Sequence, residues 1–180
     1  MKKTVLGMAV SALFMVGAAQ AEVNPNDISA TLSVTGTVTA NESVCMVDLS
    51  DTTVALSEDI STMVQAGQTP TNFKEVRIST KGDTNCQAML NQGKLAYKFL
   101  GTADSVDGST LANSANIENA AKGVGIGLYN IDGTSLKINE DTVPATTTGY
   151  NLRLSLVKLT NQEVSAGDVQ GSLTVQIERL

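Results

Sequence analysis

The sequence predicts an all-β protein built as a sandwich of two sheets. Three observations carry that expectation. Apolar residues recur at every second position over seven or eight short segments, the period of a strand with one buried face. Stretches rich in Gly, Asn, Asp and Ser separate these segments at fairly regular spacing. No segment shows a sustained amphipathic helical period.

The first 21 residues, MKKTVLGMAVSALFMVGAAQA, stand apart as an export signal. Lys2 and Lys3 form a positive start, Val5 to Val16 an apolar stretch, and Ala19-Gln20-Ala21 a small-x-small cleavage site. Cleavage after Ala21 would leave a mature chain of 159 residues, 180 less 21, a size that suits one domain. No later apolar run approaches the ~20 residues of a membrane-spanning helix.

The first alternating segment is ISATLSVTGTVT, residues 28–39. Ile28, Ala30, Leu32, Val34, Gly36 and Val38 share one face, and every residue between them carries a hydroxyl. Next, Val44, Met46 and Asp48 alternate with Cys45, Val47 and Leu49, and Thr53 to Leu56 begins another short strand. Residues 57–72 hold no period and read as a loop or crossover, while FKEVRIST (73–80) returns to strand. KGDTNC (81–86) reads as turn chemistry, with Gly supplying positive φ and Asp and Asn bonding their own backbone.

In LAYKFLGT (95–102), Leu95, Tyr97 and Phe99 oppose Ala96, Lys98 and Leu100. Residues 103–123 read as surface loop with one helical turn near Ile117 to Ala121. GVGIGLYNIDGTSLKIN (123–139) places Val124, Ile126 and Leu128 opposite three glycines, and Asp132-Gly133 marks a hairpin turn before Leu136 and Ile138. TVPATTTG (142–149) is turn-rich, and YNLRLSLVKL (150–159) alternates again. SAGDVQG turns, and SLTVQIERL (172–180) closes the sequence with Leu173, Val175 and Ile177 on one face.

Composition narrows the function. The mature chain carries about −8, because the signal removes two of 12 basic residues set against 18 acidic ones. Such a chain has no electrostatic footprint for nucleic acid or anionic lipid. Three Phe, three Tyr and no Trp leave few platforms for stacking sugars or bases. With no His anywhere, the usual catalytic triads and zinc sites are excluded, and no cofactor or metal is expected. Carboxylate pairs exist at Glu58-Asp59, Glu140-Asp141 and Asp104 with Asp107, but in polar loops without aromatic neighbours. Asp104-Ser-Val-Asp107-Gly also lacks the ligand count of a calcium loop. The GVGIG glycines sit inside a strand pattern rather than between a strand and a helix, so close sheet packing accounts for them better than a phosphate cradle. Asn41-Glu42-Ser43 matches a glycosylation sequon too short to carry weight. Cys45 and Cys86 are the only cysteines, and export puts them where disulfides form and persist.

Taken in order, several of these segments resemble the pilin subunits of Gram-negative chaperone–usher fimbriae of the type 1 and F17-like kinds. They are the alternating N-terminal stretch with Gly36 before Cys45, LAYKFLGTADS, and GVGIGLYNIDGTSLKIN, which is close to that family's V-G-I-x-L-x-(D/N)-x-x-G-x-x-L. The last is SAGDVQGSLTVQI, similar to the family's A-G-D-V followed by an alternating C-terminus. The resemblance implies an incomplete immunoglobulin-like β-sandwich, completed by a donor strand from a neighbouring subunit. It implies a signal peptide over 1–21, a donor extension over 22–38 and a pilin domain over 39–180. The donor face would be Ile28, Ala30, Leu32, Val34 and Gly36; the acceptor groove, first filled by a chaperone, would be edged by Leu173, Val175 and Ile177. Cys45 and Cys86 would be the family disulfide. The implied partners are neighbouring subunits in a head-to-tail polymer, a periplasmic chaperone, an outer-membrane usher and a host-surface receptor reached through the fimbria. The implied destination is the cell surface, by way of the periplasm.

One departure stands out. The family usually ends with a penultimate aromatic, whereas Ile177 holds that place here and Glu178-Arg179-Leu180 follow. On periodicity alone, residues 28–38 and 173–177 are equally an ordinary first and last strand. The competing reading is then a self-complete exported sandwich that binds a ligand such as a carbohydrate; an enzyme using carboxylates alone is a third.

Overall fold

The structure is a computed structural model that describes residues 43–106 and 108–180. The expected signal peptide (1–21) and donor extension (22–38) lie outside the described residues. Those described fall within one compact unit, Asn41–Leu180.

Among the described residues the chain forms nine strands and one short helix. In order they are β1 (Cys45–Leu49), β2 (Lys74–Gly82), α1 (Thr84–Asn91), β3 (Leu95–Gly101), β4 (Leu111–Ala112), β5 (Val124–Tyr129), β6 (Ser135–Leu136), β7 (Thr142–Pro144), β8 (Tyr150–Lys158) and β9 (Leu173–Arg179). One sheet runs β1-β2-β8-β5-β4 with β6 also paired to β5; the other runs β7-β3-β9. Every strand pair is antiparallel. The predicted all-β sandwich is therefore present.

The period-two pattern places the core. Ile78, Leu95, Tyr97, Phe99, Leu128 and Leu152 are almost completely shielded from water between the sheets. Tyr97 brings a hydroxyl into that layer, and its oxygen lies 2.7 Å from Thr80 Oγ1, so the buried polar groups satisfy each other. Burial raises the Tyr97 phenol above its usual range, which keeps it neutral. A Cβ on Gly127 would stand 2.7 Å from the Tyr129 ring, and one on Gly125 would stand 2.7 Å from Thr110 Oγ1. Close packing thus accounts for the GVGIG glycines. The Asp132-Gly133 hairpin is also formed, with Gly133 at φ +85° and its N–H bonded to Asn130 O at 3.0 Å.

Three local expectations change. KGDTNC is not a free turn. Gly82 ends β2, and Asp83 caps α1, accepting a 2.8 Å hydrogen bond from Cys86 N. Turn and N-cap use the same residue types, and an eight-residue helix is too short to declare a period. The one turn expected near Ile117 to Ala121 is present, closed by Ala120 N to Ile117 O. Short β4 and β7 lie within stretches read as loop, where two or three residues cannot display alternation. Thr53–Leu56 is not laddered; it runs beside the core without strand partners. The crossover at 57–72 fills the place β2 leaves empty: Lys158 N bonds Val64 O, and Ala66 N bonds Lys158 O, both at 2.9 Å.

Candidate functional site

Among the described residues the two sheets do not close along one side. There β1 and the chain after it, to residue 58, form one wall, and β9 with residues 167–172 before it forms the other. Val76 and Ile78 of β2, Leu152 and Leu154 of β8, and Ile126 of β5 make the floor. The apolar stretch of this groove holds a cavity of ≈ 150 Å³ between Val54 and Leu56 on one side and Leu173 and Val175 on the other. It continues past Leu56 and Gly171 into a wider, more polar trough of ≈ 740 Å³, bordered by Glu58, Ser114, Asp168 and Gln170.

The register of β9 shows why this side stays open. It pairs with β3 from Leu95↔Arg179 to Gly101↔Leu173. One step further, Leu180 N donates to Lys94 O. Because hydrogen-bonded pairs alternate along an antiparallel ladder, Thr174, Gln176 and Glu178 are the residues that bond β3. Leu173, Val175 and Ile177 therefore turn their N–H and C=O groups to the open edge. These same three residues pack on the core and are only partly buried. Side chains and backbone thus present an unfinished sheet at the same positions.

The groove's ends differ. At one end Arg179 Nη2 donates to Ser43 O at 2.6 Å, tying the two walls together. Asp83 reinforces this end by accepting from Val44 N at 3.0 Å as well as from Cys86 N. Those bonds, Cys86 first, hold its carboxyl below the usual range. The Cys45–Cys86 disulfide is formed, with an S–S distance of 2.05 Å and Cα atoms 5.4 Å apart, and staples β1 to α1. The opposite end, at Val169 and Leu56, is the wide trough.

The structure brings Leu173, Val175 and Ile177 together on one groove wall and joins Cys45 to Cys86. Ile28, Ala30, Leu32, Val34 and Gly36 lie outside the described residues. The sequence reading missed Val54, Leu56, Val169 and Gly171, which extend the walls. A signal for the last two was present: Val169, Gly171, Leu173, Val175 and Ile177 alternate over nine residues, although Gly-rich SAGDVQG reads as turn. At Gly171 the close approach is real, since a Cβ would stand 2.7 Å from Ile126 Cδ1. Two of the three carboxylate pairs serve local structure, and Asp107 of the third lies outside the described residues. Asp59 accepts from Ser61 N and Oγ, Glu58 from Thr62 Oγ1, and Asp141 from Lys137 N, while Glu140 faces Lys137 Nζ at 3.6 Å.

A sandwich with a free apolar edge and a single disulfide is matched by a known family: residues 32–178 fit the family described as fimbrial protein. The chain belongs to the fimbrial protein family. It is a fimbrial subunit, and its sandwich is of the incomplete immunoglobulin-like kind. Its fold is similar to the crystal structure of the P pilus rod subunit PapA, with a TM-score of 0.50 at 12% identity, covering 82% of this chain and 100% of that one. A Burkholderia pseudomallei antigen and type I fimbria protein aligns over 76% of this chain and 94% of its own, with 15% identity and a TM-score of 0.38. Among curated proteins none matches the sequence.

Proposed function

We propose that this fimbrial subunit polymerises by donor-strand exchange: residues 28–36 of one copy fill the groove beside β9 of the next, supporting cell adhesion as part of a fimbria. The observation that carries the reading is the coincidence of pattern. Five alternating groove positions, from Val169 to Ile177, match in number and spacing five alternating donor positions, from Ile28 to Gly36. Each set spans nine residues, roughly 30 Å of strand. An inserted strand gives the N–H and C=O groups of Leu173, Val175 and Ile177 partners and covers the part-buried wall residues Val54, Leu56, Leu173, Val175 and Ile177. Burying Ile28, Leu32 and Val34 would contribute roughly 5–9 kcal/mol before ordering costs. Head-to-tail donation is heterologous and does not close, so it builds a filament.

An empty groove is an aggregation hazard. That supports handling of the exported subunit by a periplasmic chaperone that occupies the groove first, and assembly at an outer-membrane usher. The signal at 1–21 supplies the export step.

The test uses a chain lacking residues 22–38, assayed with and without the peptide ISATLSVTG. Alone it should aggregate or unfold easily. Peptide at a hundred times its Kd should stabilise it by about 2.7 kcal/mol, visible as a rise in Tm of several degrees. A stable monomer that ignores the peptide would overturn the proposal.

A further inference from the structure

The exposed large apolar side chains are not scattered evenly. Val44 (58% exposed), Met46 (57%) and Leu180 lie at the tied end of the groove, Met46 on the outer side of β1 and Val44 just before it. Leu180 is fixed there by its bond to Lys94. Val106 and Ile117 (52%) lie at the opposite, open end. Val106 follows the end of β3 that pairs with Leu173. Ile117 sits in the loop that Ala121 N and Asp168 N tie to the groove wall, through bonds to Asp168 O and Asn119 O. The sixth, Ile131, tips the β5–β6 hairpin, where Arg153 bonds its carbonyl.

Charge divides the same way. Exposed Lys81, Lys94 and Arg179 mark the tied end, offset by Asp48, 2.8 Å from Lys81 Nζ, and by Asp83. Glu58, Glu118 and Asp168 mark the open end, with Lys122 as the nearby cation. One end is thus apolar with a basic rim, the other apolar with an acidic rim.

We infer that these two ends form a body-to-body contact between successive copies of this chain, with Val44 and Met46 of one copy seated against Ile117 of the next. The inference rests on the donor-strand reading and adds a second interface to it. The named strands among the described residues all pair antiparallel, the more stable pairing per residue. A donor running antiparallel to β9 leaves the groove at Val169, the open end, while the Arg179–Ser43 tie obstructs the other. From residue 36, at the open end, to residue 44 the chain reaches at most about 29 Å. The donor's own Val44 and Met46 are therefore tethered within reach of the acceptor's Ile117. The contact repeats head to tail and limits rotation between neighbours.

The test places opposite charges on the two ends of the full chain. Met46→Glu and Ile117→Lys are both at exposed positions, and each alone should cut the yield of sedimenting fibre several-fold. The two changes together should restore it, with the restored yield falling again in high salt. Each variant's groove is checked in a chain lacking residues 22–38, where binding of ISATLSVTG should match the unsubstituted protein. Single variants that assemble like the parent, or a double variant no better than the singles, overturn the contact. Failure of the peptide to bind even the unsubstituted groove is a different result, which overturns the donor-strand reading itself.

Discussion

Replacing Val175 with Asp should abolish strand capture while leaving the outer face of β9 untouched. Val175 sits at the middle of β9, opposite Phe99, and borders the ≈ 150 Å³ apolar stretch of the groove. Losing a buried Val side chain removes roughly 1.5–3 kcal/mol from the filled state. The new carboxylate adds a desolvation cost, because an inserted strand seals it against Ile126 and Leu152 with no cation among the lining residues. In the empty groove that carboxylate still reaches water, so the penalty falls on the complex. A loss of about 3 kcal/mol or more weakens binding a hundredfold or more. The assay is the Kd of a fluorescent ISATLSVTG peptide for the chain lacking residues 22–38. Val175→Ala should show a smaller loss, and Thr174→Asp, on the exposed side of the same strand, should bind within about 0.5 kcal/mol of the parent. Equal affinities for Val175→Asp and Thr174→Asp would refute the claim that the alternating face is what binds.

Two further outcomes follow from the tied end of the groove. Replacing Cys45 and Cys86 with Ser opens a cross-link between residues 41 positions apart, which the chain-entropy model values at ~4 kcal/mol, and urea unfolding should report a loss of that order. The Asp83 carboxyl is held below its ordinary value, so its contribution is present above the unfolded pKa of about 4 and is lost as pH falls through the lower folded value. Asp83→Asn should remove that part of the acid limb in a stability–pH profile; an unchanged limb would show that Asp83 does not carry it.

Much of the fold is written in local pattern. The alternation in LAYKFLG and YNLRLSLVK placed β3 and β8 within a residue or two, because each strand buries one face along its whole length. Asp132-Gly133 gave its hairpin for an equally local reason, the positive φ that glycine accepts. Helix α1 was hidden because Asp83 serves turn and cap alike. The wall at 53–56 has the alternation of a strand in Val54 and Leu56, but these face the core without gaining a ladder.

The sequence by itself determined which side of each strand is buried, the pairing available to its two cysteines, and the absence of histidine chemistry. Only the tertiary structure decided which edge is left unpaired. Side chains report the face of a strand, whereas N–H and C=O groups are the same on both edges whatever the residue. Whether an edge is filled depends on which distant segment lies beside it. For Leu173, Val175 and Ile177 no described strand does, so β9 stands at the edge of its sheet.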